Sequence, residues 1–345
     1  MFKNLLKIIF MAVICLNFSS SVFAMYDYTE QEQKILDLQL EGKNEEAMKM
    51  CQELLDKKPT ANLYYLMGRS YDDENEYQKA IDFYGKAIEM KPDFDRAYHN
   101  IGVVYSEMGD NQKAIDYFTK TIELNPYDSL AYSNRGNVYG NMQLNSSAFE
   151  DFEKAIKLDP KNEEPYIKRG NLYREIKEYQ KAFEDYERAA NAEPEDYVPY
   201  YNMGLACRDM KKNDEALKYF DEVIKRNESK DGAYFHKAEI YFNEKDYEKA
   251  LENYLKLSDL MPENTFMHVD LGKTYYELKD YDAAIGEFTR ALQLCPFNSF
   301  AYGFRGVVFW KKGQHFRALT DFAMYFVTSF IDSVYYRITH KPLCQ

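Results

Sequence analysis

The sequence predicts an all-α protein, an α-solenoid of tandem antiparallel helix pairs, and three observations carry that prediction. The stretch 163–196, EEPYIKRGNLYREIKEYQKAFEDYERAANAEPED, recurs at intervals of 34 residues along most of the 345-residue chain. A fixed period of that size marks a repeat architecture, in which each unit is too small to bury its own apolar face and stacks on its neighbours. An alanine column, Ala47, Ala80, Ala114, Ala148, Ala182, Ala216, Ala250, Ala284 and Ala318, does not vary over nine units. Within a unit, apolar residues fall twice at i, i+4 and i+7, the spacing of two amphipathic helices.

The first helix of each unit carries three columns. Its fourth place holds Tyr64, Tyr98, Tyr132, Tyr166, Tyr200, Tyr234 and Tyr302, with His268 as the substitute. Four residues on stand Gly68, Gly102, Gly136, Gly170, Gly204, Ala238, Gly272 and Gly306, and three further on a mostly aromatic column from Tyr71 to Phe309. The second helix carries Ala182, Tyr186 and Ala189 and their equivalents. Small residues such as Gly170 and Ala182 are expected to let the two backbones approach, with the tyrosines filling the space beside them. Pro59, Pro92, Pro126, Pro160, Pro194, Pro262 and Pro296 close units, because proline removes a backbone donor and clashes inside a helix.

In these columns the chain resembles the tetratricopeptide repeat (TPR) family, whose 34-residue unit has an aromatic, Gly and Tyr in its first helix and Ala, an aromatic, Ala and Pro in its second. The resemblance implies a right-handed superhelix of nine units, near 28–60, 61–94, 95–128, 129–162, 163–196, 197–230, 231–264, 265–298 and 299–332. The array domain is thus 25–332. The first unit is one residue short and carries Ile35 where glycine is expected; the sixth ends in Glu228 and the ninth in Phe330 where proline is expected.

Before the array, residues 1–24 read as a secretory signal peptide. Lys3 and Lys7 give a basic start, an apolar run follows from Ile8 to Phe18, and Val22-Phe23-Ala24 forms a small-residue cleavage site. The apolar run is too short for a stable spanning helix. The product is expected to be exported, periplasmic or secreted, with Met25 at its start; the alternative is that the segment is kept as an uncleaved anchor. After the array, 333–345 read as a tail or partial capping helix. The last array helix, with Phe322, Tyr325, Phe326, Val327, Phe330 and Ile331, is apolar for an array end and points to a contact surface for dimerisation or docking.

Charge and composition exclude several functions. The net charge is −13, and without Lys3 and Lys7 there remain 42 basic and 57 acidic residues. So acidic a chain is a poor match for a nucleic-acid backbone, which rewards clustered Lys and Arg. His99, His236, His268, His315 and His340 show no metal-ligand spacing, and the glycines never form a phosphate-binding loop. No nucleophile is paired with a base, so no catalytic residue, metal or cofactor is expected. Cys51 and Cys207 sit in core columns and read as packed apolar residues; Cys295 and Cys344 are the pair to consider for a disulfide.

The places that vary between repeats carry the binding information. The resemblance implies that first helices line an inner wall and that residues flanking the core columns point into the groove. The sixth place reads Gln33, Leu66, Asn100, Asn134, Lys168, Asn202, His236, Asp270 and Phe304, and the ninth adds Asn137 and Asn171. An asparagine offers a donor and an acceptor together, which suits the backbone of an extended peptide. This is similar to the asparagine ladder of some arrays of the family, although asparagines can also tie adjacent helices together. Arg96, Asn100, Asn134 and Lys168 do not reproduce the order of the family's clamp for acidic chaperone tails. The expected function is a non-enzymatic scaffold whose groove, lined by Asn100, Asn134, Asn137, Asn171, Asn202, Lys168 and Arg96, holds a peptide or helix of a protein partner. The alternative is a regulatory or assembly subunit acting through its apolar C-terminal end, by self-association or by docking on an enzyme.

Overall fold

The computed structural model describes residues 28–339, with side chains to Arg337. The signal peptide, its cleavage point after Ala24, Cys344 and the end of the tail lie outside the described residues. Among the described residues there are 18 helices and no strand. They fall into two units, 28–172 and 173–339.

The first unit holds α1 (Glu30–Leu40), α2 (Asn44–Lys57), α3 (Ala61–Asp73), α4 (Tyr77–Met90), α5 (Asp95–Glu107), α6 (Asn111–Leu124), α7 (Ser129–Asn141), α8 (Asn145–Leu158) and most of α9 (Glu164–Glu175). The second holds α10 (Tyr179–Ala192), α11 (Val198–Asp209), α12 (Asn213–Arg226), α13 (Asp231–Asn243), α14 (Tyr247–Leu260), α15 (Thr265–Glu277), α16 (Tyr281–Leu294), α17 (Ser299–Lys311) and α18 (His315–Thr339). Within each unit, consecutive helices form antiparallel pairs that pack pair on pair, the arrangement of an α-solenoid.

The repeated residues meet inside each pair. The column alanines are fully buried from Ala47 to Ala318. A Cβ added at Gly68 would stand 2.6 Å from the Tyr84 ring, and at Gly102 2.8 Å from that of Phe118; Gly204 and Gly272 bear the same relation, at 2.6 Å, to Phe220 and Phe288. The glycine therefore serves the aromatic ring of the facing helix, which lies flat on the exposed backbone. Tyr84, Tyr186, Phe118, Phe152, Phe220 and Phe288 are among the largest fully buried side chains.

Two devices not read from the sequence complete the packing. Arg135 grips Asp151 with two 2.8 Å hydrogen bonds and donates to Thr119 at 2.9 Å. Five repeats later Arg305 does the same with Asp321 and Thr289. Planar guanidinium and carboxylate fit face to face, so a buried pair stays fully bonded. The turn inside each pair has a residue with φ between 58° and 77°, at Gly42, Asn75, Gly109, Gln143, Lys177, Lys211, Lys245, Lys279 and Gly313. The following amide then bonds back five residues, as from Asp110 to Tyr105 and from Asp246 to Tyr241, both 2.9 Å, a Schellman closure.

The last helix differs from every other second helix. It has 25 residues where the others have 14, and it runs without a break through Asp332 and Ser333. Phe330 stands where proline would stop it, so nothing interrupts the hydrogen-bond ladder. Phe316, Phe326 and Phe330 on it are 84%, 70% and 71% exposed.

Candidate functional site

In the first unit the expected groove residues come together on α5, α7 and α9. The helix periodicity places Arg96 and Asn100 four residues apart on one face of α5, and the repeat places Asn134 on α7 and Lys168 on α9 in register with Asn100. Arg96 donates to the Tyr28 hydroxyl at 2.8 Å and lies over the rings of Tyr28, Tyr65 and Phe94 at 5.0 to 5.2 Å. Such stacking holds a guanidinium in place. Asn100 donates to the Tyr65 and Tyr84 hydroxyls at 3.3 and 3.2 Å, which directs its carbonyl oxygen away from both.

Asn134 is engaged on both sides. Its oxygen accepts from Lys168 Nζ at 2.8 Å, and its nitrogen faces His99 Nε2 at 3.2 Å. Lysine can only donate, so the amide orientation is fixed: Nδ2 donates to His99, whose Nε2 must accept. The His99 proton then sits on Nδ1, where it meets Asp128 Oδ2 at 3.4 Å. Burial would push the Asp128 carboxyl up, but the His99 hydrogen bond and the amides of Ala131 and Leu130 outweigh it and hold it below the ordinary carboxylate value. Lys168 also pairs with Glu164 at 2.6 Å. The result is a polar chain, Asp128–His99–Asn134–Lys168–Glu164, across three successive first helices.

Asn137 is half-buried and has no side-chain hydrogen-bond partner among the described residues, so its donor and acceptor are both available. Asn171 is half-buried on α9. Asn202 belongs to the second unit, on α11, and is buried. The structure thus brings Arg96, Asn100, Asn134 and Lys168 into one network or its immediate surroundings, while Asn202 is placed in a separate unit.

Beside this network a cleft of about 390 Å³ opens, lined by Tyr65, Asp95, Arg96, His99, Asn100, Asn125, Tyr127, Asp128, Ser129 and Leu130. Asn125 donates to Asp95 at 3.0 Å and so closes one wall. Tyr127 stands 81% exposed at the mouth. His99, Tyr65 and Asp128 line this cleft from places other than the sixth and ninth. The signal is an offset of 35: the fifth place of one repeat touches the sixth of the next, as Tyr65 touches Asn100 and His99 touches Asn134. Tyr201 and His236 repeat the offset in the second unit, at 3.1 Å.

Among the described residues no three His, Cys, Asp or Glu are grouped to hold a metal ion, and no helix is long and apolar enough to cross a membrane. Burial pushes the Cys51 and Cys207 thiols up to about 12 and about 11, so both are packed, inert groups.

Paired helices of repeating sequence, with a variable polar face and a cleft beside it, define a helical-repeat protein built for contact with other proteins. The chain matches tetratricopeptide repeat families at 95–128, 129–162 and 197–230, at 68–109, at 152–184, at 231–264 and at 267–298, and it belongs to the tetratricopeptide repeat family. Members of this family are protein-interaction scaffolds, typically without catalysis of their own. No curated protein matches the chain in sequence. Among solved structures it is similar to Pseudomonas aeruginosa PilF, 22% identical over 61% of this chain and 96% of that one, with a TM-score of 0.52. MamA is 26% identical over 48% and 96%, and YrrB, described as a TPR protein with an unusual peptide-binding site, 25% over 53% and 95%, both with a TM-score of 0.42.

Proposed function

We propose that the chain is an exported, non-catalytic scaffold, periplasmic or secreted, that binds an extended segment of a protein partner along α5, α7 and α9. The observation that carries the reading is the 390 Å³ cleft with Arg96 and Asn100 in its wall. An extended segment leaves its amides and carbonyls unpaired. The Asn100 oxygen accepts one amide, Asn137 meets an amide and a carbonyl, and Arg96 and Lys168 favour an acidic or C-terminal group. Asn171 lies on α9 with Lys168. Each such bond contributes roughly 0.5–1.5 kcal/mol net, so several act together.

The experiment is a crosslinking pull-down with the mature protein, followed by binding measurements on Asn137→Ala and on the combined change of Asn100 and Asn134 to Ala. We expect a modest loss for the single change and a strong loss for the double, with helix content unchanged. A double variant that unfolds would show that these asparagines are structural ties, and one that binds equally well would place the groove elsewhere.

A second reading rests on α18. Its exposed Phe316, Phe326 and Phe330 support contact through the C-terminal end, with a second copy or with another subunit. Deleting 333–345 is then expected to change the oligomeric state measured by light scattering; an unchanged oligomeric state and solubility would remove this reading.

A further inference from the structure

The second unit contains a cleft of different chemistry. Phe242 from α13, Lys273, Tyr276 and Glu277 from α15, Phe288 from α16, and Phe304 and Val307 from α17 enclose about 350 Å³. Phe288 is fully buried and forms the floor, with the Phe304 ring stacked on it at 5.9 Å. Phe304 and Val307 occupy the sixth and ninth places of their repeat, where the repeat at 129–162 has Asn134 and Asn137, and they remain over one-third exposed, at 37% and 38%. Phe300, four residues before Phe304 on the same face of α17, is 59% exposed. A stripe of large apolar side chains therefore leads into an apolar cavity.

The charges around it are unequal. A smaller cleft of about 180 Å³ shares Phe242 and Lys273 and adds Glu239, Asn243, Tyr254 and Asp270. Lys273 is occupied by Asp270 at 2.7 Å and lies over the Phe304 ring. Glu239 is occupied by Arg208 at 3.2 Å and His236 at 3.4 Å. Glu277 is exposed; the Tyr247 hydroxyl hydrogen-bonds to its carboxylate, and no cation is paired with it among the described residues. The uncompensated charge at the rim of the apolar cleft is thus negative.

We propose that this cleft is a second binding site, which takes a partner segment carrying a bulky apolar side chain with a lysine or arginine next to it. The apolar side chain fills the cavity over Phe288 between Phe304, Val307 and Tyr276, and the cation pairs with Glu277. The volume lies in the range of cavities that enclose small ligands. The proposal rests on the scaffold reading of the array but on none of the asparagines, so the two sites fail separately.

The test is fluorescence anisotropy with the full chain and a fluorescein-labelled decapeptide that has Leu-Phe at its centre between lysines. Replacing Leu-Phe by Ala-Ala should weaken binding by about tenfold or more, since burial of one large apolar side chain is worth at least that factor, and replacing the lysines by glutamates should weaken it by a smaller factor, since Glu277 is exposed. Val307→Glu changes a part-exposed residue and should cause the same loss while circular dichroism is unaltered. Glu277→Lys should remove the preference for lysine-flanked peptide. Asn137→Ala should bind the probe as the parent chain does. Equal binding of the Leu-Phe and Ala-Ala peptides, undiminished binding by Val307→Glu, or no binding of any peptide would overturn the proposal. A cleft occupied by a second copy would also overturn it, and would show as a dimer mass that Val307→Glu converts to monomer. Loss with Asn137→Ala alone would assign the peptide to the first unit.

Discussion

In the first unit the sixth places of α5, α7 and α9 hold Asn100, Asn134 and Lys168, and each is tied to a neighbour: Asn100 to Tyr65 and Tyr84, Asn134 to His99, and Lys168 to Asn134. In the second unit the sixth places of α13, α15 and α17 hold His236, Asp270 and Phe304. There the face turns from a network around His236 into an apolar stripe. The core columns behind both faces are the same, buried alanine against buried aromatic. The difference shows how the repeat divides its labour: places that pack within a pair are fixed by close contact, and places that look outward are free to change chemistry along the array. A single chain can therefore offer a hydrogen-bonding face in one unit and an apolar one in the other.

The comparison is sharpened first by removing something the two units share. Arg135→Ala and Arg305→Ala should each destabilise their unit by about 3 kcal/mol, because either change leaves a buried carboxylate without its partner. Asp151 and Asp321 are 6% and 4% exposed, so neither can be rescued by water. Urea unfolding should show losses of similar size, and the double changes Arg135→Leu with Asp151→Leu, and Arg305→Leu with Asp321→Leu, should recover much of them. A loss confined to one unit would mean that the two ties, though alike in geometry, carry different loads.

Much of this was legible in the sequence and some was not, for identifiable reasons. Ala182, Gly204 and Phe220 are readable because each contact is made inside one repeat and recurs every 34 residues. The Arg135–Asp151 tie was not read, because its column holds arginine in some repeats and methionine or leucine in others, as at Met203 and Leu271. His99 shows no ligand spacing in the sequence, and its contact with Asn134 depends on the offset of 35 that only stacked repeats reveal. The asparagine column was legible, whereas the fact that Asn134 is already engaged on both sides was not, since its partners come from the preceding and following repeats. The length of α18 follows from a missing proline, visible at Phe330, whose consequence for the helix needed coordinates.

A second comparison concerns pH. Asp72 in the first unit is pushed up to about 6, chiefly by burial, then by the neighbouring charge of Glu107, against the hydrogen bond from Tyr84. The folded state therefore holds a proton that the unfolded state releases at lower pH. Its contribution to stability is present below the ordinary carboxylate value and is lost as pH rises through about 6. Asp72→Asn should stabilise the protein near pH 8, by about 1 kcal/mol once solvent screening of this half-buried group is allowed for, and change little near pH 3.5. A variant whose gain is the same at both pH values would show that Asp72 does not titrate in this window. Asp270 in the second unit is likewise raised by burial but held by Lys273, so Asp270→Asn should gain less, having an ion pair to lose.

The smallest effect lies in the turns, and here the two units differ in kind. The first unit closes its pairs with Gly42, Asn75, Gly109 and Gln143, the second with Lys177, Lys211, Lys245, Lys279 and Gly313, all at positive φ. A lysine in that region crowds its Cβ against the following carbonyl, at a cost of roughly 1–2 kcal/mol, whereas glycine does not. Glycine gives back part of that gain through the larger freedom of its unfolded chain, roughly 0.5–1 kcal/mol. Lys211→Gly, Lys245→Gly and Lys279→Gly should therefore each stabilise the second unit by about 0.5 kcal/mol, and their effects should add, since the turns are a repeat apart and share no partner. Gln143→Gly should do the same in the first unit, whereas Asn75→Gly should change stability less, because asparagine tolerates this conformation better than lysine. Thermal unfolding of the single and triple variants measures this directly. If the lysine variants melt lower than the parent chain, the exposed side chains at 211, 245 and 279 contribute something that outweighs the strain of their backbone.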